Sequence, residues 1–223
     1  MTDEAIADDQ ALEFLCERLE AVLSTHDDGS DGSHDVHHSR RVLRMALRIA
    51  GSEPGNADVV TLACAAYLHD LVNLPKNHPD RSRASTLAAE AARPILNDLG
   101  IDEARIDAAC HAIETHSFSA GKLPQTLEAR ILQDADRIEA LGAIGIARAF
   151  YIAGKLGSGL FDGADPLAEH RLLDDKKFAL DHFEVKLWSL SKTMQTDGGR
   201  RIAHARTQYM REFVNQLVGE LCS

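Results

Sequence analysis

The dipeptide His69-Asp70 closes an apolar run from Val59 to Leu68, where neither residue has a packing reason to stand. Imidazole nitrogen and carboxylate oxygen are both ligands for divalent metals. Two other segments offer the same chemistry: residues 34–42, His-Asp-Val-His-His-Ser-Arg-Arg-Val, and residues 133–139, Gln-Asp-Ala-Asp-Arg-Ile-Glu. Adjacent helical residues diverge by about 100°, so His69 and Asp70 reach one ion only where a helix ends, and Leu74-Pro75 shortly afterwards sets that end. His34 and His38 are four apart and share a helix face, while His37 points elsewhere. In a metal reading His38 supplies the ligand nitrogen, and His34 and Asp35 orient it or contact substrate. Asp134 and Asp136 flank an alanine and diverge by about 200°, so one of them reaches a common ion. Asp136 is the expected ligand; Asp134 caps the helix or orients a ligand histidine, and whether it assists or replaces Asp136 stays open. Taken singly, each segment has a plainer reading: a solvated helix start where Asp35 complements the helix dipole, or a buried histidine paired with its neighbour.

Two histidines and two carboxylates form a mixed nitrogen and oxygen set. That set suits Mn²⁺, Mg²⁺ or Fe²⁺ with open water positions, and Zn²⁺ or Ni²⁺ is compatible with it. Hydrolysis is the chemistry that follows, because one ion both acidifies a water and polarises a phosphoryl oxygen.

The elements that must position these residues are helices. Apolar residues recur at helical spacing, as in Leu12, Leu15, Leu19, Val22 and Leu23, then Val42, Met45, Ala46 and Ile49. Further helices are expected over about 57–72, 83–99, 103–116, 126–153 with an interruption, 174–195 and 198–220, so the chain is predicted all-α. Residues 27–33, 54–56 and 73–80 read as connectors, and the Gly-rich stretch 154–166 as a flexible connection, a boundary or a lid. Residues 1–223 are expected to make one domain, with a core over about 12–153 and a helical C-terminal extension over about 167–221 packed on the same bundle.

A formal charge of −11 argues against nucleic-acid polymers and anionic membranes as partners. The four cysteines, Cys16, Cys64, Cys110 and Cys222, form no close pair in sequence, which suits reduced thiols. With an acidic start and no apolar run of membrane-spanning length, a cytoplasmic location is expected.

The pattern His38, His69-Asp70 and Asp136 resembles the H…HD…D signature of the HD-domain metal-dependent phosphohydrolases. Residues 34–42, 74–82, 116–119 and 133–137 are similar to the small stand-alone bacterial HD proteins of the YpgQ/YedJ type, and the likeness runs over about residues 12–216. The resemblance implies an all-α HD-domain helical bundle, a metal held by His38, His69, Asp70 and Asp136, and small-molecule nucleotide substrates. It also implies nucleoside triphosphate pyrophosphohydrolysis, yielding a monophosphate and pyrophosphate. The superfamily equally contains nucleotide monophosphatases, phosphodiesterases and, more distantly, oxygenases, and a non-hydrolytic nucleotide sensor on the same site is a further alternative. His111 and His116 are five apart, about 140° around a helix, and do not cleanly supply the extra ligands of binuclear members. One divalent ion per chain is therefore expected, with Mn²⁺ favoured and His116 lining the pocket.

Lys76, Asn77 and Arg81 fall just after the metal dipeptide, where a cationic loop can clasp phosphate oxygens; a solvated surface loop is the alternative. Arg41 is the member of the Arg40, Arg41, Arg44 and Arg48 set promoted to phosphate contact, against a solvated helix face. Lys186, with Lys155 and His182, is a candidate from the C-terminal half. Phe118, Tyr151 and Phe161 stack on a base or belong to the core. In the catalytic assignment His69 and Asp70 act at the metal, Asp70 also shares the proton of the attacking water, and Lys76 and Arg41 stabilise the leaving charge. The Leu-rich C-terminal helix faces suit a monomer or a homodimer.

Overall fold

The computed structural model describes residues 3–26, 36–74, 78–117 and 120–221, with side chains in the first helix from residue 10 to 25. Nine α-helices and no strand occur among these residues, the all-α class that the periodicity predicts. By its contacts the chain divides into two compact units, Met1–Asp136 and Arg137–Ser223.

The first unit is built around the run that ends in His69-Asp70. Val59–Leu68 forms helix α3, and its residues from Thr61 to Leu68 are all buried. A helix apolar all round must sit inside a bundle. Helices α1 (Asp3–His26), α2 (Val36–Ala50), α4 (Ala84–Asp98) and α5 (Glu103–His116) accordingly all pack against α3. Asp58 caps α3 by accepting the Thr61 N–H at 2.7 Å, and its carboxylate also takes Arg105 Nε at 3.1 Å. Asp102 caps α5 in the same way, accepting the Arg105 N–H. Helix α4 stops at Asp98, where Gly100 takes the left-handed conformation that closes a helix C-terminus.

Helix α6 (Leu127–Ile138) is tied to this bundle at two points. Near its start the Glu128 carboxylate accepts the Asp58 N–H at 3.0 Å, and further on Gln133 Nε2 donates to the Thr115 carbonyl at 2.7 Å. The second bond satisfies a carbonyl at the C-terminus of α5 that has no partner within its own helix.

The second unit contains α7 (Gly142–Lys155), a long connection, α8 (Trp188–Leu190) and α9 (Asp197–Leu221), with α7 packed on α9. The interruption expected within 126–153 is a turn at 139–141. It needs glycine twice: Gly142 has φ +74°, and a Cβ on Gly145 would lie 2.2 Å from the Ala140 carbonyl oxygen.

The helix expected over 174–195 is not formed before residue 181. A five-residue π-helical turn, Phe183–Leu187, leads into α8 and then a 3₁₀ turn at Ser191–Thr193. Of the apolar residues in this half, Leu180, Phe183, Leu187 and Leu190 are buried, whereas Leu172, Leu173 and Val185 are exposed. Side chains, however, take over the backbone bonding upstream. Asp181 holds Arg171 through both carboxylate oxygens, at 2.6 and 2.7 Å, and also accepts the Asp174 N–H, while Asp174 Oδ1 accepts from the N–H groups of Lys176 and Lys177. Aspartates that bond nearby N–H groups favour turns over helix. The stretch 154–166 is likewise tethered: Gly159 pairs with Phe178 as an isolated bridge, and Ser158 Oγ donates to the Lys176 carbonyl.

No described helix is long and apolar enough to cross a membrane. Cys64 and Cys110 are buried, Cys16 is half-buried, and all three are free thiols.

The contact at Gly145 makes a stability prediction. Gly145→Ala should destabilise the chain by about 1–3 kcal/mol, the usual cost of overpacking, because the obstacle is backbone rather than a movable side chain. Thermal or denaturant unfolding would measure it, and an unchanged midpoint would contradict the packing of this turn.

Candidate metal centre

The end of α3 is what brings His69 and Asp70 to one side. His69 caps the helix while keeping helical angles, φ −62° and ψ −33°, and the Leu71 N–H turns back to the Leu68 carbonyl. His69 Nδ1 lies 2.9 Å from the Ala66 carbonyl. A carbonyl only accepts, so in the neutral ring Nδ1 carries the proton and the lone pair is on Nε2. His38, in the first turn of α2, directs its own Nε2 to within 3.2 Å of His69 Nε2.

Both carboxylates close on that pair. Asp70 Oδ2 stands 3.3 Å from His69 Nε2 and 3.7 Å from His38 Nε2; Asp136 Oδ1 stands 3.7 and 3.5 Å from the same two atoms. Ligands at about 2.1 Å from one ion lie roughly 3.0 Å apart at octahedral angles and roughly 3.4 Å at tetrahedral ones. The separations of 3.2–3.7 Å lie close to those spacings, so the donors suit one divalent metal ion. The two imidazoles are almost wholly enclosed, whereas the side chains of Asp70 and Asp136 are 26% and 28% exposed, so the open face is the carboxylate side.

The charges are matched to a cation. Burial alone would lower the His69 pKa, but the charge and hydrogen bond of Asp70, with Asp136 behind it, outweigh burial and raise it to about 9. Burial works against ionised Asp136, yet the His38 hydrogen bond and the facing imidazoles hold its carboxyl well below the usual carboxylate range. In the metal-free state a proton thus stands where a cation is wanted.

His116, the last residue of α5, approaches from the other side. Its ring meets the His69 ring edge-on with centroids 4.9 Å apart, and its Nε2 lies 3.8 Å from Asp70 Oδ1. His116 Nδ1 donates to the Ile113 carbonyl at 2.6 Å, which again leaves Nε2 as an acceptor. Burial, then the charge on His69, lowers its pKa, so this ring is neutral. His69, Asp70 and His116 form a second close ligand triple beside His38, His69 and Asp136. His111 diverges from His116, and its Nε2 accepts the Gln125 N–H at 3.1 Å.

Asp134 is fully buried and belongs to neither triple. Arg41 lies three residues beyond His38 on α2 and is half-buried. Arg81 Nη1 donates to Asn73 Oδ1 at 2.7 Å and to the Leu74 carbonyl. His34, Lys76, Asn77 and Phe118 lie outside the described residues. Lys186 is in the π-helical turn of the second unit, where His182 Nδ1 is 2.9 Å from Asp175 Oδ2. Sequence reasoning missed Gln133 as the link between the Asp136 helix and the end of α5; a glutamine beside two aspartates carries no signal of its bonding partner.

The HD domain family model matches residues 35–141. YpgQ of Bacillus subtilis is 37% identical over 200 residues, 88% of each chain. The chain belongs to the HD-domain family. The crystal structure of B. subtilis YpgQ in complex with ADP superposes with a TM-score of 0.72 at 31% identity, covering 94% of this chain and 96% of that one. An HD-superfamily hydrolase from Bacillus thuringiensis gives a TM-score of 0.72 at 26% identity, over 96% and 98% of the two chains. The HD family match contains all four residues of the cage and His116.

Because His69 must lose its extra proton to bind a metal, cation binding is linked to pH. At about pH 7.5, Mn²⁺ binding should release about one proton, with affinity climbing about tenfold per pH unit and levelling off above the His69 pKa. Calorimetry in buffers of different ionisation heat counts the protons; a count of zero would contradict a protonated His69 in the metal-free site.

Proposed function

We propose that this chain is a divalent-metal-dependent phosphohydrolase acting on nucleotides, with nucleoside triphosphates as substrates and a monophosphate and pyrophosphate as products. The observation that carries the reading is the cage of two enclosed imidazoles and two carboxylates, open on the carboxylate side. The relationship to YpgQ, a protein crystallised with ADP, supports a nucleotide as the ligand, and the B. thuringiensis HD-superfamily hydrolase supports hydrolysis as the reaction class.

His38, His69, Asp70 and Asp136 would hold one ion. The two close triples share His69, whose single available lone pair at Nε2 serves one ion and not two. A bound divalent ion, Mn²⁺ by preference over Mg²⁺, Fe²⁺, Ni²⁺ or Zn²⁺, supplies an acidified water and a polarised phosphoryl oxygen.

The protein's own groups then divide the proton work. Asp70 turns Oδ2 toward the cage and Oδ1 toward His116. His116, neutral and with Nε2 lacking a proton, is placed to accept the proton that leaves the attacking water near Asp70. Arg41, Lys76 and Asn77 would bind phosphate oxygens and stabilise leaving charge, and His34 would contact substrate. Arg81, bonded to Asn73 and Leu74, belongs to the same substrate-binding set.

The test is product analysis after incubation with ribo- and deoxyribonucleoside mono-, di- and triphosphates in Mn²⁺, with a chelated control. Chelator-sensitive pyrophosphate and monophosphate are expected. His69→Ala and Asp70→Ala should each lower turnover more than about 100-fold, since even outer partners of metal ligands are worth 10–100-fold. His116→Gln, which keeps a polar group but no proton acceptor of comparable basicity, should lower kcat by about 10²-fold or more while leaving metal retention near that of the unmodified chain. Orthophosphate as the product would replace pyrophosphohydrolysis by stepwise phosphatase action, and full activity in the Ala variants would overturn the site.

A further inference from the structure

One carboxylate on α1 joins the two helices that carry the histidine ligands. Glu20 Oε1 accepts Arg40 Nε at 2.6 Å, its Oε2 accepts Arg40 Nη2, and the same Oε1 accepts the Tyr67 hydroxyl at 2.6 Å. Arg40 stands two residues after His38 on α2, and Tyr67 two residues before His69 at the end of α3. Two residues along a helix is about 200° around it, so Glu20 grips both helices from behind the histidines.

The three groups differ in exposure in a way that matters. Tyr67 is 3% exposed, so its hydroxyl depends on a protein partner. The Arg40 side chain is 46% exposed, and an ion pair so placed adds little to global stability by itself. Arg40 keeps the Glu20 carboxyl below its ordinary range, with the Tyr67 bond acting the same way, so Glu20 is ionised whenever the cage can bind a cation.

We propose that Glu20 is a positioning residue for the metal centre: bonded to Arg40 and Tyr67, it fixes α2 against α3 so that His38 Nε2 and His69 Nε2 meet at cation-ligand spacing. The 3.2 Å separation of those atoms joins helices from different parts of the chain. Within α3 the bond to Ala66 sets the His69 ring, but no bond within α2 or α3 sets how the two helices slide past each other. The shared carboxylate restrains that sliding close to both ligands. The inference rests on the metal reading of His38 and His69.

Full-length Tyr67→Phe and Glu20→Gln variants test it, with Mn²⁺ affinity measured by calorimetry and the Mn²⁺ electron paramagnetic resonance spectrum recorded beside the thermal midpoint. Tyr67→Phe removes one hydroxyl and preserves the packed ring; Glu20→Gln preserves shape and removes the charge. Each is expected to weaken Mn²⁺ binding about tenfold, the range seen when an outer partner of a metal ligand is lost, and to broaden the spectrum. Arg40→Lys, which keeps the charge without the two-pronged contact, should fall between these variants and the unmodified chain. Affinities within twofold of the unmodified chain in both Tyr67→Phe and Glu20→Gln, with an unchanged spectrum, would overturn the positioning role while leaving the metal reading intact. An unmodified chain that binds no Mn²⁺ would overturn the metal reading and the positioning role with it.

Discussion

The hydrogen bond from His69 Nδ1 to the Ala66 carbonyl is the constraint on which the site turns. It fixes the tautomer, and so decides that Nε2 offers a lone pair to the space shared with His38, Asp70 and Asp136. It also depends on the end of α3, since Ala66 is three residues back on the same helix. A terminal histidine can therefore be both a helix-ending residue and a ligand. The same device recurs at His116, whose Nδ1 is held by Ile113 at the end of α5. Two helix ends thus present two acceptor nitrogens to opposite oxygens or neighbours of one carboxylate, Asp70.

Around these rings the packing is arranged so that the imidazoles are enclosed and the carboxylates are not. An enclosed neutral imidazole loses little on burial, whereas an enclosed carboxylate pair would repel and resist ionisation. Leaving Asp70 and Asp136 partly open turns the carboxylate side of the cage toward solvent, while the His38 hydrogen bond and the facing imidazoles keep Asp136 ionised. The helix α3, apolar on every side, is what makes the enclosure of His69 unavoidable: its residues from Thr61 to Leu68 are buried and the chain can turn outward only after the histidine.

Much of this was legible in the residues themselves. The uninterrupted apolar run 59–68 marks a central helix, and ligand-type residues at its end stand out because burial alone cannot explain them. The spacing of Leu12, Leu15 and Leu19, and of Val42, Met45 and Ile49, likewise places α1 and α2. Periodicity misleads between 174 and 180. Leu180, Phe183 and Leu187 keep helical intervals that suggest a helix running back through this stretch, but Asp174 and Asp181 bond backbone N–H groups and Arg171, and so replace the helical ladder with turns. An interval of apolar residues reports which side chains are buried and is blind to which group satisfies each N–H. Gln133 and Glu20 were not legible for a related reason. Each works through bonds to residues far along the chain, Thr115 in one case and Arg40 and Tyr67 in the other, and neither has a spacing that would announce it.

The contrast between Asp70 and Asp136 completes the physical picture. Asp70 is fixed by its neighbour: it follows His69 directly, and the turn that ends α3 delivers both together. Asp136 comes from α6, whose place depends on Glu128 at one end and Gln133 nearer the site. Of the four cage residues, then, two arrive by local sequence and two, His38 and Asp136, by tertiary packing. That asymmetry explains why the dipeptide is the clearest signal in the sequence, and why the geometry of the whole cage rests on bonds between helices, from Glu128 and Gln133 of α6 to Asp58 and Thr115 and from Glu20 of α1 to Arg40 and Tyr67.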